Sequence, residues 1–97
     1  MRIISRPALI IFGKQFPDAK IQLDAWWAEA KRASWTTPSD IKAQYRNASI
    51  LKGGRVVYNI CGNKYRLIVR FNYEKGIGFI RFVGTHKEYD KINAEEV

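Results

Sequence analysis

The hydrophobic positions of this chain change period near its middle. Up to about residue 45 they recur at helical spacing, and from residue 55 onward they alternate as they do along strands. Met1 to Ile4 reads as a short edge strand. Ser5 then reads as a helix N-cap, with Pro7 in the first turn where its missing N–H costs nothing. Leu9, Phe12 and Phe16 follow on one helical face, and Phe16-Pro17 ends the segment because proline drives the residue before it out of the α region. Asp18 is expected to cap a second helix whose Leu23, Trp27 and Ala30 share a stripe, with Trp26 beside it. So short a link implies an antiparallel helix pair. Thr37-Pro38-Ser39-Asp40 predicts a capped third helix running to about Tyr45, and Asn47 to Gly54 predicts a loop.

The alternating half carries its own register marks. Gly62-Asn63 between Cys61 and Lys64 fits a tight hairpin loop, which pairs Ile60 with Tyr65, Tyr58 with Leu67, and Val56 with Val69. Lys75-Gly76 is expected to close the next hairpin in the same way, pairing Phe71 with Ile80 and Val69 with Phe82. Side chains alternate faces along a strand. One face then reads Val56, Tyr58, Ile60, Tyr65, Leu67, Val69, Phe71, Ile80 and Phe82, and should pack under the helices. The opposite face reads Arg55, Asn59, Lys64, Arg66, Arg70 and Arg81, with Val57, Ile68, Phe79 and Val83 between them. A slip in register would bury several arginines, which desolvation forbids. The expected fold class is α+β over residues 1–97 as one domain: two N-terminal helices packed on a small, mainly antiparallel sheet, made of a short N-terminal edge strand and a three-stranded meander, then a short C-terminal helix.

Charge changes this picture from a fold to a surface. The chain carries a formal +8 over 97 residues. From Ile41 to Tyr73 it holds Lys42, Arg46, Lys52, Arg55, Lys64, Arg66 and Arg70 and no carboxylate. Like charges facing one another across strands destabilise a sheet, so this surface calls for an anionic partner, and guanidinium groups fork onto phosphate oxygens. Phe79 and its aliphatic neighbours would offer an unstacked base a surface to lie on. Arg46 and Lys52, in the loop before the first hairpin, extend the basic groove. A membrane is the weakest candidate partner: no apolar run approaches the roughly 20 residues of a spanning helix, and no signal-peptide layout opens the chain. A lone Cys61 and a lone His86 can make neither an internal disulfide nor a zinc site, and they suit a reducing cytoplasm.

Thr85-His86-Lys87-Glu88 is a capping box that starts the last helix. It places His86 at the first helical position, with Tyr89 and Asp90 three and four residues on and sharing its face. That face can overlook the rim of the basic sheet, where an imidazole can act as a general base.

Val57-Tyr58-Asn59-Ile60 with Gly62-Asn63-Lys64-Tyr65-Arg66-Leu67, then Arg81, then Thr85-His86-Lys87-Glu88-Tyr89-Asp90-Lys91-Ile92, resembles the HigB toxins of bacterial toxin–antitoxin pairs, a branch of the RelE-like mRNA endoribonucleases. Ser39-Asp40-Ile41-Lys42 and the Ile3-to-Ala8 opening fit the same pattern, so the likeness covers nearly the whole chain. The resemblance implies a RelE-like fold and cleavage of mRNA without metal or cofactor, commonly on the ribosome. It also implies inhibition by a cognate antitoxin with a helix-turn-helix fold (HigA-type). Its functional set falls on Lys64, Arg66, Arg81, His86, Tyr89 and Asp90. His86 would then accept the 2′-hydroxyl proton, aided by Tyr89, while Arg66 and Arg81 stabilise the phosphorane and Asp90 orients His86 or Lys87. Lys64, Arg70, Arg55, Asn59, Lys87, Arg46 and Lys52 would hold RNA. Two other readings compete: a non-catalytic RNA-binding or ribosome-associated basic module using the same face, and a protein-interaction subunit anchored by one of Trp26, Trp27 and Trp35.

Overall fold

The computed structural model describes residues 1–97. Strand β1 (Arg2–Ile4) leads into helices α1 (Pro7–Gln15), α2 (Pro17–Arg32) and α3 (Pro38–Gln44). Strand β2 (Ser49–Ile50) and a single 3-10 turn (Lys52–Gly54) precede β3 (Arg55–Ile60), β4 (Tyr65–Asn72) and β5 (Ile77–Thr85), and α4 (His86–Tyr89) follows directly. The five strands form one sheet in the order β1-β5-β4-β3-β2, with β1 parallel to β5 and every other pair antiparallel. The expected edge strand and meander are present. β2 is an addition, too short to show a period of its own in the sequence. No helix is long and apolar enough to cross a membrane.

The core forms where the helices meet one face of the sheet. Ala19, Leu23, Trp26 and Ala30 bury a stripe of α2 against Val56, Tyr58, Leu67 and Val69. Trp26 is thus the core residue and Trp27, expected on the stripe, is only half-buried. Its ring lies under the Arg6 guanidinium at 3.6 Å and the Lys31 ammonium at 4.3 Å, where its π face meets positive charge. The two caps expected at the helix starts differ as well. Ser5 has φ 73 and makes no cap, so the chain enters α1 through a left-handed residue and Arg6. Asp18 lies in the first turn of α2, where its carboxylate is used elsewhere. At α3 the full Thr37/Asp40 capping box forms as expected.

The first hairpin has the predicted register: Ile60 opposes Tyr65, Tyr58 opposes Leu67 and Val56 opposes Val69. Its loop bends at Cys61 and Gly62, both at positive φ, rather than at Gly62-Asn63. The second hairpin does not close at Lys75-Gly76 alone. Four residues, Tyr73 to Gly76, make the loop. The Asn72 side chain accepts the Lys75 N–H at 3.0 Å, and Gly76 supplies the left-handed exit at φ 67. Phe71 therefore pairs with Gly78 and Val69 with Ile80, two residues away from the expected pairing. An even offset preserves the faces. A β-bulge at the next step reverses them: Ile68 opposes Phe82, so Phe82 goes to the face expected to be open and Val83 packs toward the core.

That face is not fully open. Val57 and Ile68 are 3% and 0% exposed although both lie outside the helix-side core. Phe82 lies across from Ile68, and the chain beyond Tyr89 returns to the start of β3, where the Val97 carbonyl accepts a hydrogen bond from Arg55 Nε at 2.8 Å. The middle of the face is covered, and the basic residues are divided between its two ends.

Candidate active site

At the end of the sheet where β4 begins, three local devices fix α4. The Thr85/Glu88 capping box closes reciprocally, with Thr85 N–H donating to Glu88 at 2.9 Å and Glu88 N–H donating to the Thr85 hydroxyl at 3.2 Å. The His86 N–H donates to the Lys64 carbonyl at 2.9 Å, which ties the helix start to the first hairpin. Arg66 faces Gly84 across the β4–β5 ladder. Its guanidinium lies 5.5 Å from the Tyr89 ring centroid and is held from behind by the Asn63 and Tyr65 carbonyls at 3.0 and 3.2 Å. A side chain at Gly84 would strike the Phe82 ring at 2.5 Å, so glycine lets Phe82 lie flat beneath this corner.

The imidazole, phenol and guanidinium expected to act together are brought together. His86 Nδ1 lies 3.1 Å from the Asp90 carboxylate, one helical turn on, which leaves Nε2 free to face a ligand. His86 and Asp90 side chains are 52% and 57% exposed, so the group is open to a substrate.

Other candidates fall elsewhere. Lys64, expected on the basic face, turns to the helix side and binds Asp18 at 2.7 Å, while the Tyr65 hydroxyl donates to the other Asp18 oxygen at 2.8 Å. Arg46 and Asn59 line a cavity of about 280 Å³ beside α2, and the Asn59 amide donates to the Asn47 carbonyl at 3.3 Å. Arg55 is engaged with Val97. Lys52 stands in the 3-10 turn and Lys87 on the exposed second position of α4. Arg81 sits at the bulge of β5 and lines a recess with Arg70 at the far end of the face. It lies four residues short of Thr85, about 13 Å along the strand. Sequence reasoning missed the Asp18 tie, whose only trace was an acid at the start of a helix, a position that reads equally well as a cap.

That tie supports the site from behind, because Lys64 supplies the carbonyl that anchors His86. The Lys64 hydrogen bond, then that of Tyr65, hold the Asp18 carboxyl below its ordinary 3.8. A carboxyl whose folded pKa is depressed adds stability above its unfolded value and loses it as pH falls through the folded one. Asp18→Asn should therefore melt below wild type at neutral pH. The gap should close on acidification below about 3.8, as thermal melts across a pH series would show. An equal gap at every pH would refute the linkage.

A helix-backed antiparallel sheet whose other face carries arginines beside a helix-borne imidazole and phenol is compatible with the RelE-like class of α+β proteins. Residues 19–92 match the HigB toxin family, described as a RelE-like toxic component of a toxin–antitoxin system, and the chain belongs to that family. The mRNA interferase toxin HigB of Escherichia coli is 29% identical over 96 residues, covering 97% of this chain and 92% of the relative. The mRNA interferase HigB of Shigella flexneri gives the same figures, and that of a second Escherichia coli strain is 24% identical over 94 residues, 95% and 91% of the two chains. Family membership makes the chain the toxic half of a pair, with an antitoxin as its partner.

Proposed function

We propose that this toxin is an endoribonuclease that cuts mRNA by attack of a ribose 2′-hydroxyl on the adjacent phosphate. The observation that carries the proposal is the grouping of His86, Tyr89, Asp90 and Arg66 at one exposed corner of a basic sheet. The names of its relatives support the same reading. His86 Nε2 takes the 2′-hydroxyl proton while Asp90 holds the ring through Nδ1. Arg66 balances the charge that develops on the phosphorane and Tyr89 donates toward the leaving 5′-oxygen, while Arg81, farther along β5, holds the strand next to the corner. Arg70, Lys87 and Lys52 hold flanking phosphates. The reaction needs no metal, since each charge and proton has a side chain to meet it. It takes place in the cytoplasm on ribosome-engaged message, and the cognate antitoxin is a helix-turn-helix protein of the HigA type.

The test is cleavage of ribosome-programmed message by purified protein in the presence of a chelator. Two substrates are compared, differing only by a 2′-deoxy or 2′-O-methyl sugar at the cut site. The all-ribose message should be cut and the blocked one should remain intact. Cleavage of both would eliminate 2′-hydroxyl attack, and cleavage of neither would favour the non-catalytic RNA-binding reading.

A further inference from the structure

At the opposite end of the basic face from His86, Phe79 stands out. It is 38% exposed on a surface whose central apolar residues, Val57 and Ile68, are buried. Arg70 is its direct neighbour across the β4–β5 ladder, and Arg81 lies two residues along its own strand. The three line a recess of about 590 Å³ with Gly54 and Glu74. That volume is within the usual range for a small-ligand site. Neither arginine joins an ion pair; those of the chain are Lys20–Asp24, Lys64–Asp18 and His86–Asp90. Gly54, at φ 77, presses its backbone against β4, and a side chain there would meet the Phe71 carbonyl at 2.5 Å. The glycine therefore shapes one wall of the recess.

Arg70 opposes Arg55 across the β3–β4 ladder, a like-charge pair that destabilises the free sheet, and the Phe79 ring beside it is left wetted. One ligand relieves both costs: a nucleotide, with an anionic phosphate for the guanidinium forks and a π face for the ring. Glu74 is the one carboxylate on the recess wall, and it disfavours a second phosphate there. Phe79 and Thr85 are six residues apart on one strand, about 20 Å, with Arg81 between them.

Resting on the reading of this chain as an mRNA endoribonuclease, we propose that the recess is a second nucleotide subsite on the same strand, about 20 Å along β5 from the cleavage corner. One unstacked base lies on Phe79, its phosphate is held by Arg70, and Arg81 forms the border with the cleavage corner. The strand is thereby gripped at two points and drawn along β5, and the covered centre of the sheet is left uncontacted.

The probe is a set of uncleavable 2′-O-methyl RNA hexamers, each with a single 2-aminopurine at a different position, free and loaded on ribosomes. Wild type and Phe79→Trp should quench one position, because stacking quenches the fluorophore, and Phe79→Ala should not. Stacking serves bound substrate and transition state alike, so in cleavage Phe79→Ala should raise KM roughly fivefold to 150-fold and leave kcat unchanged. Equal quenching by wild type and Phe79→Ala, or quenching at no position, would overturn the subsite. The cleavage reading is tested separately by wild-type protein on all-ribose message in the same ribosomal assay. Its failure would show as intact message, whatever the fluorescence does.

Discussion

His86→Ala is expected to lower the single-turnover cleavage rate by roughly 10²–10⁴-fold, the usual contribution of a positioned general base, with the fold intact. The fold should survive because the His86 backbone, not its side chain, anchors the helix: the N–H donates to the Lys64 carbonyl and the cap is made by Thr85 and Glu88. The ring itself is about half exposed and contributes little burial. Arg66→Ala should cost about 10²–10³ by removing a donor aimed at transition-state charge. If the two groups serve one proton transfer and one phosphorane, the double variant will fall far short of the product of the single losses. Exogenous imidazole should restore part of the rate to His86→Ala and none to Arg66→Ala. A His86→Ala protein that cuts at the wild-type rate would move the proton acceptor to Tyr89, and rescue of neither variant would leave His86 as a positioning group only. Circular dichroism on each variant separates these outcomes from unfolding.

Much of this corner is legible in the sequence, for a physical reason. The capping box, the register of the first hairpin and the shared face of His86, Tyr89 and Asp90 are local. They depend on residues within one helical turn or across one tight hairpin. What could not be read is non-local. The Ile68/Val69 bulge, which sends Phe82 outward and Val83 inward, leaves no mark in the alternating pattern, because both residues are apolar and either assignment satisfies the alternation. Its position beside a strand assigns Lys64 to the basic face, yet a long side chain in a turn is free to swing, and Asp18 on the facing helix wins it. The return of the chain beyond Tyr89 to Arg55 is equally hidden, as is the burial of Val57 and Ile68. Those two residues read as ordinary spacers on a charged face, and nothing nearby in sequence says what covers them.

The neighbouring tryptophans of α2 give the sharpest contrast between a pattern and its outcome. Trp26→Ala should destabilise the protein by about 3–5 kcal/mol, whereas Trp27→Ala should cost about 1 kcal/mol or less. A helix turns about 100° per residue, so adjacent indoles point in directions too different to share one core, and spacing from Leu23 allows either to be chosen. Packing decides. Trp26 is 2% exposed and meets Tyr58 edge-on at 5.4 Å, while Trp27 stays at the rim under Arg6 and Lys31. Deleting the Trp26 ring would also enlarge the cavity it already lines with Tyr58 and Glu29, and neighbouring backbone held in the sheet cannot collapse to fill it. For a domain whose whole stability is typically 5–15 kcal/mol, a loss of that size leaves a large unfolded fraction at growth temperature. Trp26→Phe should recover most of it, since a phenyl ring keeps an aromatic edge against Tyr58 and fills most of the same space. Urea melts followed by far-ultraviolet circular dichroism will rank the three variants. A Trp27→Ala loss equal to that of Trp26→Ala would mean that the rim ring, not the buried one, carries the packing of α2 onto the sheet.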